Sequence, residues 1–333
     1  MGTDLSQAKS SWLAKINRTL SVAPMMDCTD RHCRYFHRLL SKNILVYSEM
    51  IVDRAIIFGD RKRFLSFDPK EHPIAVQLGG NDPKLLAEAT KIAIDFGYNE
   101  VNLNVGCPSS RVNSGNFGAA LMKNVDLVSE CVEAMVNAAG STPVSVKSRI
   151  GVDNQNPDDI LPNFISRVRD SGCNTFIIHA RKAILKGLSP KENRKIPPLN
   201  YPIVFEMQKY FPSLEIILNG GIKSLTEVKN YMGNNVVGVM IGREIYENPS
   251  ILINVDRDIF DQGSFVSNMN DVVRSMIDYC DNAMSQGFNI NHILKHLKGA
   301  FKGTPTSKKF KSIVYSRELS DLEKLNAINT LLN

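Results

Sequence analysis

Eight short apolar runs recur along the chain, each closing on a polar or conformationally special residue, with segments long enough for a helix between them. In order they are Leu20–Ala23 stopping at Pro24-Met25-Met26, Ile44–Ser48 at Glu49, Ile74–Val76 at Gln77, Val101–Leu103 at Asn104, Val144–Val146 at Lys147, Phe176–Ile178 at His179, Ile216–Leu218 at Asn219, and Val236–Ile241 at Gly242-Arg243. Continuous apolar runs of this length predict parallel strands buried on both faces. Alternating with helices, eight of them predict an α/β fold, a (β/α)8 TIM barrel. In that fold the side chains at the C-terminal strand ends face the reactive surface.

The punctuation between the runs supports helices. Asn81-Asp82-Pro83 supplies an N-cap and a first-turn proline, Leu85 to Phe96 has helical periodicity, and Gly97 ends it. Ser224-Leu-Thr-Glu227 reads as a capping box opening a helix through Tyr231, with Gly233 just past its end. After Asn248-Pro249 the strand-like runs stop, and Asp271–Gln286, Asn291–Phe301 and Leu319–Leu332 read as amphipathic helices. The expected division is a barrel over residues 1–254 and a small C-terminal helical domain over 255–333.

The length of 333 residues holds one barrel of about 250 residues plus a smaller companion. Composition is that of an ordinary globular protein, and the net charge of +6 leans toward an anionic partner. Cys28, Cys33, Cys107, Cys131, Cys173 and Cys280 form no Cys-x-x-Cys pair and no zinc spacing, so reduced thiols, a cytoplasmic setting and no metal are expected. Met1 to Leu20 mixes Asp4, Lys9, Lys15 and Arg18 with apolar residues, which argues against a signal peptide or a membrane span.

The strand ends carry the candidate chemistry. Asn219-Gly220-Gly221 and Gly242-Arg243 close the last two strands, where barrels commonly hold a phosphate through backbone N–H groups. Gln77, Lys147 and His179, with Asn104, offer donors and acceptors converging on one planar polar ligand. A flavin suits that set, with Gln77 on the ring's amide edge and Lys147 stabilising negative charge on its reduced form. A strand-end lysine that forms a Schiff base with a carbonyl substrate is the competing use of Lys147. Cys107 follows the fourth strand directly, with Gly106 permitting a tight turn and Pro108 stiffening the exit. Its chemistry leaves two roles open, a proton donor or, given an activating base, a nucleophile.

Two basic runs point to RNA. Arg181-Lys182, Lys186, Lys191 and Arg194-Lys195 crowd the long segment after the sixth strand, as a basic lid over the pocket. From Asn291 to Arg317 there are seven Lys/Arg residues and no acid, with Phe301, Phe310 and Tyr315 interleaved, the composition of a surface that tracks phosphates.

The chain resembles the tRNA-dihydrouridine synthases, most nearly their bacterial A subgroup. The resemblance runs almost end to end, through Ser21-Val-Ala-Pro-Met-Met-Asp27, Thr29-Asp-Arg-His-Cys-Arg-Tyr-Phe36, Val76-Gln-Leu-Gly-Gly80, Asn102-Leu-Asn-Val-Gly-Cys-Pro-Ser109, Ser114-Gly-Asn-Phe-Gly-Ala-Ala-Leu-Met122, His179-Ala-Arg-Lys182, Gly187-Leu-Ser-Pro-Lys-Glu-Asn-Arg194 and Gly238-Val-Met-Ile-Gly-Arg-Glu244. It implies FMN on the barrel rim, held by Pro24, Met25, Met26, Gln77, Lys147, His179, Asn219, Gly220, Gly221, Gly242 and Arg243. The resemblance further implies that NADPH would reduce the flavin, which would pass a hydride to C6 of a uridine in the tRNA D-loop, at positions 20 and 20a. By the same resemblance Cys107 would protonate C5 from the opposite side, and Asn104 would contact the flipped base or its ribose. Lys191, Arg194, Lys308 and Lys311 fall where the subgroup places tRNA-binding residues, and no protein partner is implied.

Two departures stand out. Cys28 replaces an aromatic residue after Met-Met-Asp, and Lys308 and Lys311 stand where arginines are usual, keeping the charge without the bidentate fork. Two other functions fit the chain less well: a flavin barrel acting on a free pyrimidine, as a dihydroorotate dehydrogenase does, and an RNA-binding barrel without catalysis.

Overall fold

A computed structural model describes residues 16–263, 266 and 268–333. The stretch read as carrying no leader therefore lies, as far as residue 15, outside the described residues. Eight parallel strands close into a barrel in chain order. They are β1 (Leu20–Val22), β2 (Leu45–Val52), β3 (Ile74–Gly79), β4 (Glu100–Val105), β5 (Val144–Arg149), β6 (Thr175–His179), β7 (Glu215–Asn219) and β8 (Gly238–Ile241). Helices alternate with them: α1 (Arg31–Leu40), α2 (Asp53–Phe58), α3 (Arg61–Leu65), α4 (Pro83–Asp95), α5 (Ser110–Ser114), α6 (Val125–Ala139), α7 (Pro157–Asp170), α8 (Tyr201–Tyr210), α9 (Leu225–Met232) and α10 (Arg243–Glu247). After them come α11 (Val255–Phe260), α12 (Met269–Ser285), α13 (Asn291–Leu294), α14 (Ser307–Val314) and α15 (Asp321–Leu332). No helix among the described residues is long and apolar enough to cross a membrane.

The local signals act as the sequence predicts. Asp82 accepts from the amides of Lys84 and Leu85 to cap α4, and Ser224 and Glu227 close a reciprocal capping box on α9. The second strand is longer than its apolar run. It continues past Glu49 to Val52 through a register irregularity between Tyr47 and Met50, where the Ser48 hydroxyl bonds the Glu49 carbonyl and accepts from the Gln77 amide. The fifth runs two residues beyond Lys147, to Arg149.

The C-terminal region departs from its reading in two places. Asn291–Phe301 is not one helix: α13 gives way to a 3₁₀ turn over Lys295–Gly299, and a Cβ on Gly299 would stand 2.7 Å from the Glu247 carbonyl oxygen, so this segment is pressed against the barrel. Ser307–Val314, read only as basic surface, is a helix that buries Phe310, Ile313 and Val314. These helices are tied to the barrel by polar contacts as well as packing. Asp256 accepts from the Ser41 hydroxyl and the Lys42 amide, and His32 pairs with Tyr279 at 2.8 Å.

The apolar core lies mainly between the strands and the surrounding helices, whereas the barrel's inside carries a smaller cluster including Leu45, Tyr47, Ala75, Ile177, Ile217 and Met240. Because side chains alternate along a strand, every second residue points inward, and in this barrel many of those are polar. Arg18 Nε and Nη2 donate to Glu100 Oε2 at 3.1 and 2.6 Å, and the Tyr47 hydroxyl and the Ser145 hydroxyl donate to Glu100 Oε1. Above them Asn102 Nδ2 donates to Ser145 Oγ and Gln77 Nε2 to Asn102 Oδ1, both at 2.8 Å. Asn104 Nδ2 donates to Gln77 Oε1 at 2.7 Å. A continuous column of hydrogen bonds thus climbs the inside of the barrel from its base to its rim.

Removing Glu100 would leave buried Arg18 with Glu215 alone, at 3.1 Å, and would strip the Tyr47 and Ser145 hydroxyls of their buried acceptor. Glu100→Ala should lower the unfolding free energy by about 3–5 kcal/mol, read as a fall in the urea midpoint; a midpoint unchanged from wild type would show that the column carries no stability.

Candidate active site

The residues closing the strands meet at one mouth because the barrel staggers adjacent strands. The register sets Asn104 beside Lys147, Arg149 beside His179, and His179 beside Asn219. Each of these side chains follows the inward alternation of its strand.

Cys107 is held from three directions. Asn104 Oδ1 accepts from the amides of Gly106 (3.1 Å) and Cys107 (2.9 Å), and the Cys107 carbonyl accepts from the Ala119 amide at 2.9 Å. The Gly106 carbonyl accepts from Arg149 Nε at 3.2 Å. Asn104 is itself buried and spends its amide on Gln77 and the Cys107 loop, leaving one N–H for a ligand. The Gln77 amide is likewise oriented by Asn102 and Asn104, with one N–H and one lone pair to spare.

Lys147 Nζ donates to Asn219 Oδ1 at 2.9 Å, and Asn219 Nδ2 donates to the Met240 carbonyl, so both strand ends are locked. Burial of the ammonium, reinforced by the Arg149 charge and opposed by Cys107, pushes Lys147 down to about 7. His179 is driven well below the ordinary imidazole range by burial and then by Arg149, Lys147, Arg181 and Arg243, so it is neutral. Its Nδ1 has no hydrogen-bond partner although it is buried, and the same holds for Arg181 Nη1 and Arg194 Nε. These are polar atoms that a ligand would satisfy.

The glycine cradle is built for close approach. Gly220 and Gly221 have φ of +118° and +73°, and a Cβ on Gly221 would lie 2.7 Å from Leu199 Cδ1. The Tyr201 hydroxyl bonds the Gly220 carbonyl at 2.6 Å and fixes the turn. Gly242 faces Met25 across the β1–β8 seam, placing Pro24 and Met25 at the same rim; Met26 is turned out, 55% exposed.

Two residues missed in the sequence complete the mouth. Arg149 donates to the carbonyls of Gly106, Lys182 and Asn193, binding the Cys107 loop to the basic segment after β6. Burial, with Arg194 and Arg181 adding repulsion, lowers its guanidinium to about 10. The signal for it was its spacing of two from Lys147 on one strand. Asn193 is fully buried and pins that segment from within, accepting from the Ile184 amide and donating to the carbonyls of Ile184 and Leu188. The segment brings Arg194 into electrostatic range of Arg243 and Cys107, while Lys191 stands exposed on it. Lys308 and Lys311 sit outside this convergence, exposed on α14. Of the three aromatics expected on the C-terminal surface, Phe301 and Phe310 are buried against each other with ring centroids 4.8 Å apart, and Tyr315 alone is open, because the two phenylalanines fall on the inner face of α14 and the turn before it.

The mouth therefore gathers Lys147, Arg149, Arg181, Arg194 and Arg243 around a thiol, and no ion pair joins any of the five to a carboxylate among the described residues. Cations without carboxylate partners, Arg149 buried among them and Arg243 open to solvent, call for an anionic ligand. No group of three or more His, Cys, Asp or Glu side chains among the described residues is placed to hold a metal ion.

A family model described as dihydrouridine synthase matches residues 21–331. The chain is 52% identical over 292 residues to the tRNA-dihydrouridine(20/20a) synthase of Escherichia coli K12, covering 87% of this chain and 84% of that one. It is 49% identical over 302 residues to the enzyme of the same name from Synechocystis, covering 91% and 88%. In fold it resembles the old yellow enzyme of Trypanosoma cruzi (TM-score 0.51, 12% identity, 77% of this chain and 94% of that one) and the old yellow enzyme homologue of Zymomonas mobilis (TM-score 0.53, 13% identity, 77% and 91%).

The depressed Lys147 makes a prediction for protein stripped of bound small molecules. An unfolded lysine titrates near ~10.4, so between about pH 7 and that value the unfolded chain binds more protons and stability rises with pH. The stability advantage of Lys147→Met relative to wild type should be largest below pH 7 and shrink toward pH 10, measured by denaturant titration across that range; a difference independent of pH would contradict the assignment.

Proposed function

The chain belongs to the dihydrouridine synthase family, and from that premise we propose that it reduces uridine to 5,6-dihydrouridine in the tRNA D-loop, at positions 20 and 20a, with FMN as its flavin and NADPH as reductant. The observation that carries this reading is the convergence of Cys107 with Lys147, Arg149 and His179 at one mouth whose buried polar atoms lack partners.

The mouth fits a flavin mononucleotide. The left-handed Gly220-Gly221 turn with Gly242 and Arg243 would take the phosphate, His179 and Asn219 would lie against the rest of the cofactor, and Gln77 and Lys147 would meet the polar edge of the ring. Pro24, Met25 and Met26 would close the β1 side. When bound, the flavin supplies the hydride that reduces C6 of the uracil ring. Cys107 delivers the proton to C5, and its fixed backbone aims the thiol. The thiolate left behind sits beside Lys147 and Arg149, which stabilise it until solvent restores the proton. Asn104 orients the Cys107 loop and keeps one N–H for the flipped base or its ribose.

RNA would be gripped outside the mouth. Lys191 and Arg194 on the segment after β6 and Lys308 and Lys311 on α14 offer cations to phosphates, with residues 1–254 as the catalytic barrel and 255–333 as the tRNA-binding unit. A free pyrimidine would need none of these outer cations, which favours the macromolecular substrate.

Cys107→Ala should keep the yellow flavin and tRNA affinity while turnover falls about 10²–10⁴-fold, followed by mass spectrometry of D-loop fragments; full activity would refute the acid assignment. Reversing charge at Lys308 and Lys311 together should weaken tRNA binding and reduce the slope of log affinity against log salt by about 2, with flavin reduction by NADPH unchanged. An unaltered slope would place the RNA elsewhere.

A further inference from the structure

A cavity of about 390 Å³ opens between α13, the turn after α14 and the start of α15. Its lining includes Asn291, Lys295, Tyr315, Arg317, Asp321 and Lys324; Lys295 is paired with Asp30 outside the cavity, which leaves Arg317 and Lys324 against Asp321. Lys324 is 5% exposed and its ammonium is held only by Asn291 Oδ1, at 2.7 Å, with no carboxylate partner among the described residues. Lysines are almost never buried without a counter-charge, so this one is an unmet demand for an anion. Arg317 is exposed and makes no ion pair among the described residues. At the lip stands Tyr315, 55% exposed, the one aromatic of the basic C-terminal run that the core does not absorb.

Two interactions connect the cavity's lining to elements of the barrel rim. Lys295 reaches Asp30 Oδ2 at 3.3 Å, and Asp30 caps α1 just after the Pro24–Met26 loop. Tyr315 is in electrostatic range of Tyr246, on the helix that follows Arg243.

We propose that this cavity takes one unpaired nucleotide of the RNA substrate, a neighbour in sequence of the target uridine, with its phosphate against Lys324 and Arg317 and its base stacked on Tyr315. The volume lies within the range of small-molecule sites, and an open ring beside cations is the combination that holds single-stranded RNA without hydrogen-bond readout. Extraction of the target base leaves its neighbours unstacked, and a platform beside the mouth receives one of them. The inference rests on the uridine-reductase reading above.

The test uses flavin-loaded enzyme and tRNA transcripts carrying a single abasic nucleotide at each position flanking the target, with dihydrouridine quantified by mass spectrometry. Tyr315→Ala should raise KM about 10-fold with kcat unchanged, Tyr315→Phe should restore wild-type KM, and Arg317→Ala should raise KM as well. One abasic position should raise the wild-type KM to the same extent and add nothing in Tyr315→Ala. Unchanged KM in Tyr315→Ala, or abasic effects that add in full to it at every position, would overturn the proposal. If wild-type enzyme makes dihydrouridine while these variants match it, the cavity assignment alone fails; if wild type makes none from any tRNA, the reductase reading fails and takes this one with it.

Discussion

The hydrogen-bond column inside the barrel is the constraint on which the site depends. A barrel of this size is ordinarily filled by apolar layers, and each polar side chain placed there must find its partners inside. Here Glu100 accepts from Arg18, Tyr47 and Ser145, and the amides of Asn102, Gln77 and Asn104 pass the pattern upward until it reaches the backbone of Gly106 and Cys107. Each amide has one orientation that satisfies both neighbours, so the column sets which atom of Gln77 and Asn104 faces the mouth. Pre-organisation at the thiol is inherited from a charge pair at the base of the barrel.

Above that column the electrostatics reverse. Base and column are matched donor to acceptor, whereas the mouth assembles Lys147, Arg149, Arg181, Arg194 and Arg243 with their mutual repulsion unrelieved. The protein holds this arrangement by spending backbone carbonyls on it: Arg149 alone takes three, from the Cys107 loop and the basic segment. Carbonyls supply hydrogen bonds without cancelling charge, so the positive potential stays available for an anionic ligand. A carboxylate in the same place would stabilise the empty protein and spoil the site.

The barrel was legible because each buried strand is a short apolar run with a punctuated helix after it, and the strand ends carried Gln77, Lys147, His179 and Asn219 to where the structure places them. What escaped lay where apolarity stops being the marker of a strand. Arg149 lies beyond the last apolar residue of β5, yet ladder bonds carry the strand on to it, and its N–H donors are taken up by carbonyls 33 and 44 residues away in sequence. Asn193 acts through its burial, which no local pattern announces. In the C-terminal region, lysines hid the helix Ser307–Val314, because its inner face is carried by only Phe310, Ile313 and Val314. The same lysines made Phe301 and Phe310 look like surface aromatics.

The C-terminal helices are fixed relative to the mouth by one more polar chain. His296 Nε2 donates to Asp30 Oδ2 at 2.9 Å, and its Nδ1 faces the Tyr246 hydroxyl at 3.3 Å. Burial pushes His296 below the usual imidazole range in spite of Asp30, while Asp30, which burial alone would raise, is held ionised by the His296 hydrogen bond and the α1 amides. A neutral ring has one donor and one acceptor, and both are consumed in this chain, so the tautomer is dictated. Asp30 belongs to the loop beside Pro24–Met26 and Tyr246 to the helix beginning at Arg243, two flanks of the mouth. The C-terminal helices are therefore keyed to the same elements that shape the mouth, through side chains rather than through a hinge.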